Sequence, residues 1–160
     1  MTTLRRATVD DAPAIAAFQK AEGYNWNIWQ QANVKANIAA GDHVHIMLAE
    51  DDHQLVGFIH WVETQRADGP AAWFVGAIVT KTLPPTARLA QTHTLALLMG
   101  PALGMKGRWL SEANKEDTEA VAYGQMVLPD VVLDLGNRIR YEGDIAATHA
   151  HITAALSVTP

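Results

Sequence analysis

The segment from Trp73 to Met99 joins an apolar stretch to polar side chains that could bind an anion. The sequence predicts a strand at Trp73–Thr80, a break at Pro84-Pro85, and a helix from about Thr86 to about Lys106. The first turns of that helix would carry several donors: Thr86, Arg88, Gln91, Thr92 and His93. Backbone N–H groups and the helix dipole favour anions at a helix N-terminus. Alternatively, these are ordinary polar residues in exposed helical turns.

Two histidine pairs raise the question of a metal site. On a strand, a spacing of two residues places both rings on one face, so His43 and His45 could chelate an ion. A third ligand is not evident for this pair, and His149 and His151 would diverge on a predicted helix. We therefore predict two solvated pairs and no metal.

The composition limits the class of protein. The chain has 160 residues, no cysteine, 49% hydrophobic residues and a net charge of -5. These values predict a single domain over residues 1–160, with no disulfide and no thiolate chemistry. The negative charge disfavours nucleic-acid binding. No apolar run reaches membrane-spanning length, and the N-terminus lacks the apolar stretch of a signal peptide, so we expect a cytoplasmic protein without membrane partners.

The charge is distributed unevenly along the chain. Residues 66–108 hold five basic residues and one acid, which gives +4 and leaves -9 for the remainder. A positive segment around the polar helix start suits a phosphate-bearing ligand. Chance clustering with a role in solubility explains it equally well.

Hydrophobic periodicity and turn residues predict an α/β fold with a central mixed sheet flanked by helices, in the order β-α-α-β-β-β-α-β-α-β-β plus a C-terminal helix. The elements outside the segment already described are a strand at Leu4–Thr8, a helix ending at Gly23, a helix at Trp26–Ala40, strands at His43–Glu50, Leu55–Thr64 and Trp109–Ala113, a helix capped by Asn114, strands at Val131–Leu135 and Arg138–Glu142, and the last helix at Ile145–Leu156.

This order, over about residues 3 to 143, resembles the GNAT superfamily of N-acetyltransferases. The opening segment LRRATVDDAPAIAAF is similar to the family's first strand–helix unit. The later segment IMLAEDDHQLVGFIHW is similar to its second–third strand hairpin. The family signature after the fourth strand is Arg/Gln-x-x-Gly-x-Gly/Ala. Arg88 fits its first position, whereas Gln91 and His93 occupy the positions of the two small residues. The resemblance implies a GNAT-like domain with a sheet splayed where the cofactor enters.

The resemblance also implies roles for individual residues. Acetyl-CoA would be the cofactor, and its pyrophosphate would lie on Arg88, Leu89, Ala90, Gln91, Thr92 and His93. A backbone amide at Ile78 or Val79 would polarise the thioester carbonyl. Asn114 would contact the pantetheine arm, although helix capping explains it as well. Tyr123 would protonate the leaving thiolate, and its alternative is a core aromatic residue.

A general base is harder to assign. Many GNAT proteins use a glutamate on the fourth strand, and Trp73–Thr80 contains no acid. His60 and Glu63 on the preceding strand are the nearest candidates, with water as the alternative. A lone histidine in an apolar strand is more often a satisfied core residue than a base.

Two further surfaces of the chain could bind a ligand or a partner. Trp26 and Trp29 fall where GNAT proteins build the wall of the acceptor site, so they could line a pocket or a partner surface. The helix from Ala146 to Leu156 has a small-residue surface that could mediate self-association or simply pack on the sheet.

Two hypotheses for function follow. The first is an acyl-CoA-dependent N-acetyltransferase that acts on a small-molecule or peptide amine. The second is a catalytically silent GNAT-like module that binds a protein partner or itself. Degenerate proteins of this kind occur in phages, so a phage origin fits the second hypothesis.

Overall fold

The computed structural model describes residues 2–82 and 104–158, which build a mixed seven-stranded sheet flanked by helices. In chain order the elements are β1 (Thr2–Arg6), α1 (Ala12–Ala21), α2 (Gln31–Ala39), β2 (Val44–Asp51), β3 (Gln54–Arg66), β4 (Gly69–Val79), β5 (Arg108–Asn114), α3 (Thr118–Met126), β6 (Val131–Asp134), β7 (Arg138–Asp144) and α4 (Ile145–Val158). The predicted fold class is confirmed. Most of the helix predicted from about Thr86 to Lys106 lies outside the described residues.

The sheet has the strand order β1-β2-β3-β4-β5-β7-β6. The pairs β1/β2, β2/β3, β5/β7 and β6/β7 are antiparallel. Strands β4 and β5 are parallel, with pairs running from Ala71↔Arg108 to Phe74↔Ser111. A parallel pair requires a long crossover connection, and the chain between Val79 and Arg108 supplies it.

Contacts divide the chain into two compact units. Of the described residues, the first unit holds 2–62 and 76–82, and the second holds 63–75 and 104–158. The core of the first unit includes Ile15, Trp29, Ile46 and Phe58, all almost completely buried. Every residue of β2 from Val44 to Ala49 is buried, so this strand is covered on both faces.

The core of the second unit is organised around Trp109. Its ring packs on Gly143, where an added Cβ would lie 2.5 Å from Cε2 of the indole. Trp109 Nε1 donates to Thr148 Oγ1 at 2.7 Å, and this hydroxyl donates to the carbonyl oxygen of Val127 at 3.0 Å. These two bonds join α4 to β5 and to the end of α3.

The following predicted boundaries differ from the structure by three to five residues. Strand β4 begins at Gly69, not Trp73, because Ala71 and Ala72 are buried and pair with β5. Helix α2 begins at Gln31, since Asn27–Trp29 form a short 3-10 turn. Asn114 ends β5 rather than capping α3; the cap is Asp117, whose carboxylate accepts from Ala120 N at 3.1 Å.

Candidate active site

A buried tryptophan–histidine pair lies at the centre of the first unit. Trp29 and His60 are both fully buried, and Trp29 Nε1 donates to His60 Nδ1 at 3.1 Å. Because Nδ1 accepts this bond, the neutral imidazole must carry its proton on Nε2. The tryptophan in the turn before α2 therefore fixes the tautomer of the histidine on β3.

His60 is uncharged near neutral pH. Burial lowers the pKa of His60 from 6.5 to about 4, because the interior disfavours the imidazolium ion. Its Nε2 atom is buried and has no hydrogen-bond partner among the described residues. A buried donor without a partner costs free energy, and such groups often mark a functional site. His60 thus offers a hydrogen-bond donor, whereas the lone pair that a base needs is used by Trp29.

Gly76 allows β4 to approach the same tryptophan. A Cβ at Gly76 would lie 2.9 Å from Cη2 and 3.3 Å from Cζ2 of Trp29. Any larger residue would collide with the indole, so the absence of a side chain lets the strand pack directly on the ring. Trp29 therefore contacts both β3, through His60, and the half of β4 that leads to Ile78 and Val79.

The two tryptophans of this unit differ in exposure. Trp26 stacks on Trp29 with ring centroids 4.9 Å apart and is 50% exposed. The side chain of buried Gln19 accepts from Trp26 N at 3.0 Å and donates to Trp26 O at 3.1 Å. The structure thus holds Trp26 as a fixed aromatic surface, while Trp29 is a core residue and lines no surface.

The end of β4 is attached to the end of α1. Ile78 and Val79 are buried. The Glu22 carboxylate accepts from Thr80 Oγ1 at 2.6 Å and from Lys81 N at 2.8 Å. The Lys81 ammonium lies 5.0 Å from the centroid of the Tyr24 ring. The chain is therefore fixed immediately before the segment that contains Arg88.

The predicted pyrophosphate-binding residues lie outside the described residues: Arg88, Leu89, Ala90, Gln91, Thr92 and His93. Other charges of the positive segment are described. Arg66 pairs with Glu142 at 2.9 Å, and Arg108 binds both carboxylate oxygens of Asp130. Two of the five basic residues are therefore neutralised within the second unit and contribute little to a phosphate site.

Tyr123 and Asn114 belong to the second unit. Tyr123 is a residue of α3, and its side chain lies outside what the structure describes. The helix around it is anchored at Gly124, where a Cβ would lie 2.5 Å from Cε2 of Tyr141. The Asn114 side chain accepts from Glu116 N at 3.1 Å, which orders the turn before α3. Ile78, Val79 and His60 share the first unit.

The first histidine pair does not form the arrangement that the sequence suggested. His43 precedes β2 and is exposed, whereas His45 is buried, so the prediction of a solvated first pair is wrong. Within residues 2–82 and 104–158, no group of three or more His, Asp or Glu side chains is placed to hold a metal ion. No helix in the same ranges is both long enough and apolar enough to cross a bilayer.

Comparisons with known proteins were made for sequence and for structure. No protein-family model and no curated protein matches the sequence. Solved structures do match. A putative GNAT-family acetyltransferase from Desulfovibrio desulfuricans is 12% identical, with a TM-score of 0.70 over 91% of this chain and 99% of the other. For a ribosomal-protein-S5-alanine acetyltransferase from Vibrio fischeri the identity is 10% and the TM-score 0.67, over 89% and 92% of the two chains.

A third structure is similar to the same extent. It is a mutant form of a spermidine/spermine N-acetyltransferase from Vibrio cholerae, with 13% identity and a TM-score of 0.68 over 92% of this chain and 95% of the other. Likeness at such low identity establishes the architecture of the chain and not its activity. The comparisons give no support to a phage origin.

Proposed function

From the GNAT fold of this chain, we propose that it is an acyl-CoA-dependent N-acetyltransferase that acts in the cytoplasm on a small-molecule or peptide amine. The observation that carries this proposal is the likeness of almost the whole chain to acetyltransferases from several bacteria. One of these proteins acetylates spermidine and spermine according to its name, which is consistent with a small amine as acceptor.

Acetyl-CoA would supply the acetyl group as a thioester. Arg88, Gln91 and His93 would hold its pyrophosphate with side-chain donors, in place of the close backbone approach that glycine allows. Leu89, Ala90 and Thr92 would complete that loop, and the amide of Val79, next to Ile78, would donate to the carbonyl oxygen. The link from Glu22 to Thr80 and Lys81 supports this role because it fixes the strand end that precedes the loop.

The reaction would also move protons. The acceptor amine forms the new C–N bond and loses a proton while the C–S bond breaks and the sulfur gains one. Tyr123 would donate the proton to sulfur. Water would accept the amine proton, because the Nδ1 lone pair of His60 is bound by Trp29 and its Nε2 carries a proton. His60 would instead donate from Nε2 to an acyl or acceptor oxygen, and Trp26 would form an aromatic wall for the acceptor.

The test begins with calorimetric titration by acetyl-CoA and by free CoA. We expect saturable binding that Arg88→Glu weakens by about tenfold or more, the usual effect of losing a charge-assisted hydrogen bond. Lys106→Glu is the matched control, since it makes the same charge change at an exposed position of the same positive segment. No binding at millimolar acetyl-CoA would refute the proposal and leave the silent, partner-binding module.

Activity would be read from the thiol of released CoA in a screen of amines. The chain has no cysteine, so a thiol reagent reports CoA alone. Tyr123→Phe should lower kcat by about 100-fold, the typical contribution of a general acid, without changing the affinity for acetyl-CoA. A variant with unchanged kcat would exclude the role of Tyr123 and leave the binding result intact.

A further inference from the structure

Exposed apolar side chains are concentrated at one place in the second unit. Six large hydrophobic residues are exposed among the described residues, and four of them lie between positions 128 and 135. These are Leu128 (50% exposed), Val132 (58%), Leu133 (41%) and Leu135 (45%). Singly scattered apolar residues are normal on a surface, but four within eight consecutive residues are a local concentration of the kind found at places of interaction.

Two of these residues, Val132 and Leu133, lie on a strand at the edge of the sheet, and Leu135 follows that strand directly. Strand β6 is the last strand in the sheet order, and its described partner is β7. Leu135 N donates to Arg138 O at 2.8 Å, so the hydrogen-bonded pairs with β7 recur at every second residue, at Leu133 and at Val131. The backbone groups of Val132 and Asp134 consequently face the open edge, where they can pair with another strand.

We propose that β6 pairs antiparallel with β6 of a second copy of this chain, about a two-fold axis at Leu133. The edge-facing groups of Val132 and Asp134 allow three registers. If Asp134 pairs with its own copy, two carboxylates stand opposite each other. If Val132 pairs with its own copy, Leu135 lies beyond the start of the second copy's strand and has no partner on it. Like charges directly opposite destabilise the first of these registers, so the register that we favour pairs Val132 with Asp134 of the second copy.

That register makes one face of the joined strands wholly apolar. Leu133 lies opposite its own copy, and Val131 lies opposite Leu135 of the second copy. Each pair is apolar on both sides, which is the arrangement that stabilises cross-strand neighbours. A two-fold contact uses the same patch twice, so the self-complementarity of this short segment favours a second copy over an unrelated strand.

The acidic residues at the ends of β6 do not oppose this pairing. Asp134 binds the Lys115 ammonium at 2.7 Å, and Asp130 binds the guanidinium of Arg108. Each carboxylate thus has a counter-charge within its own chain, and in this register Asp134 faces Val132 of the second copy rather than a carboxylate, so the acids add little repulsion. These ion pairs are exposed, so their effect should weaken in salt.

The first test is the dependence of molar mass on protein concentration, measured by sedimentation equilibrium. We expect the mass to rise from the monomer value to twice that value, and Leu133→Lys to abolish the rise because two ammonium groups would then meet at the axis. Val9→Lys is the control, since Val9 is an exposed apolar residue of the first unit. A wild-type chain that stays monomeric, or a Leu133→Lys variant that still dimerises, overturns the proposal.

The register is tested by disulfide formation in a chain that has no other cysteine. In a non-hydrogen-bonded pair the Cα atoms lie about 4.5 Å apart, so Leu133→Cys should form a dimer on oxidation by diamide, which takes up the two thiol hydrogens. With Val132→Cys, the two cysteines would be diagonal neighbours whose Cα atoms lie about 7–8 Å apart. This variant should therefore form the disulfide about tenfold more slowly. Equal rates would contradict the register, and a slower Leu133→Cys would overturn it.

Discussion

The indole N–H of Trp29 and Nδ1 of His60, 3.1 Å apart, hold a buried imidazole in its neutral form with the proton on Nε2. The burial of this ring makes the stability of the chain depend on pH. The pKa of His60 is about 4 in the folded chain, against 6.5 for an unperturbed histidine. Between these two values the unfolded chain binds the proton and the folded chain does not, so stability rises with pH.

We expect this contribution to be complete above pH 6.5 and to be lost as the pH falls towards 4. Its size is at most about 3 kcal/mol, at about 1.4 kcal/mol for each unit of pKa difference. His60→Asn keeps an acceptor for Trp29 but does not titrate, so it should flatten the stability curve in this range. Urea unfolding at several pH values measures the effect, and an equally steep curve in the variant would contradict it.

Gly76→Ala should destabilise the chain by about 1–3 kcal/mol, the usual cost of overpacking a core. The physical reason is the distance of 2.9 Å between the added Cβ and Cη2 of Trp29. Trp29→Phe removes that carbon atom, so the double variant should lose less than the sum of the two single changes. Additive losses in a double-mutant cycle would show that the two residues do not collide.

Gly124→Ala tests the packing of α3 on Tyr141. Helix propensity alone would make alanine more stable than glycine by about 1 kcal/mol. The added Cβ would lie 2.5 Å from the Tyr141 ring, however, so we expect a net loss of about 1–2 kcal/mol. Thermal unfolding decides the sign. Gln125→Ala, at an exposed position of the same helix, is the control and should change stability by less than about 0.5 kcal/mol.

Thr148→Val keeps the shape of the side chain and removes its hydroxyl. Trp109 Nε1 would lose its acceptor and the Val127 carbonyl its donor, and both residues are buried. Two unsatisfied groups should cost about 3 kcal/mol. Thr153→Val, at an exposed position of the same helix, should cost well under half of that. Equal losses in chemical denaturation would mean that the hydroxyl bonds contribute little.

The order of the strands along the chain could be predicted from the sequence because apolar strands and turn residues are local signals. The predicted start lies within one residue of the observed start for β2, β3, β5, β6 and β7. The start of β4 is not predictable locally, because Gly69-Pro70 resembles a loop, whereas Ala71 and Ala72 become strand through pairing with β5. The sequence indicates Asn114 as the cap of α3 because asparagine and aspartate have similar propensities, and only the path of the chain selects Asp117.

The candidate site was less predictable because its chemistry depends on contacts between distant residues. His60 was identified as a lone histidine in an apolar strand, but its tautomer is determined by Trp29, 31 positions away. In the same way, Trp26 is fixed by Gln19 and by Trp29, and nothing local to its sequence separates the exposed ring from the buried one. The roles of Arg88 and Tyr123 remain predictions from resemblance.

The carboxylate of Glu22 joins residues 58 and 59 positions further along the chain. Closing so long a loop has an entropic cost, so this contact should form late in folding, after the hairpins. A contact that is absent from the transition state acts on the unfolding rate alone. The lifetime of the folded first unit, rather than the speed with which it assembles, should therefore depend on this one side chain.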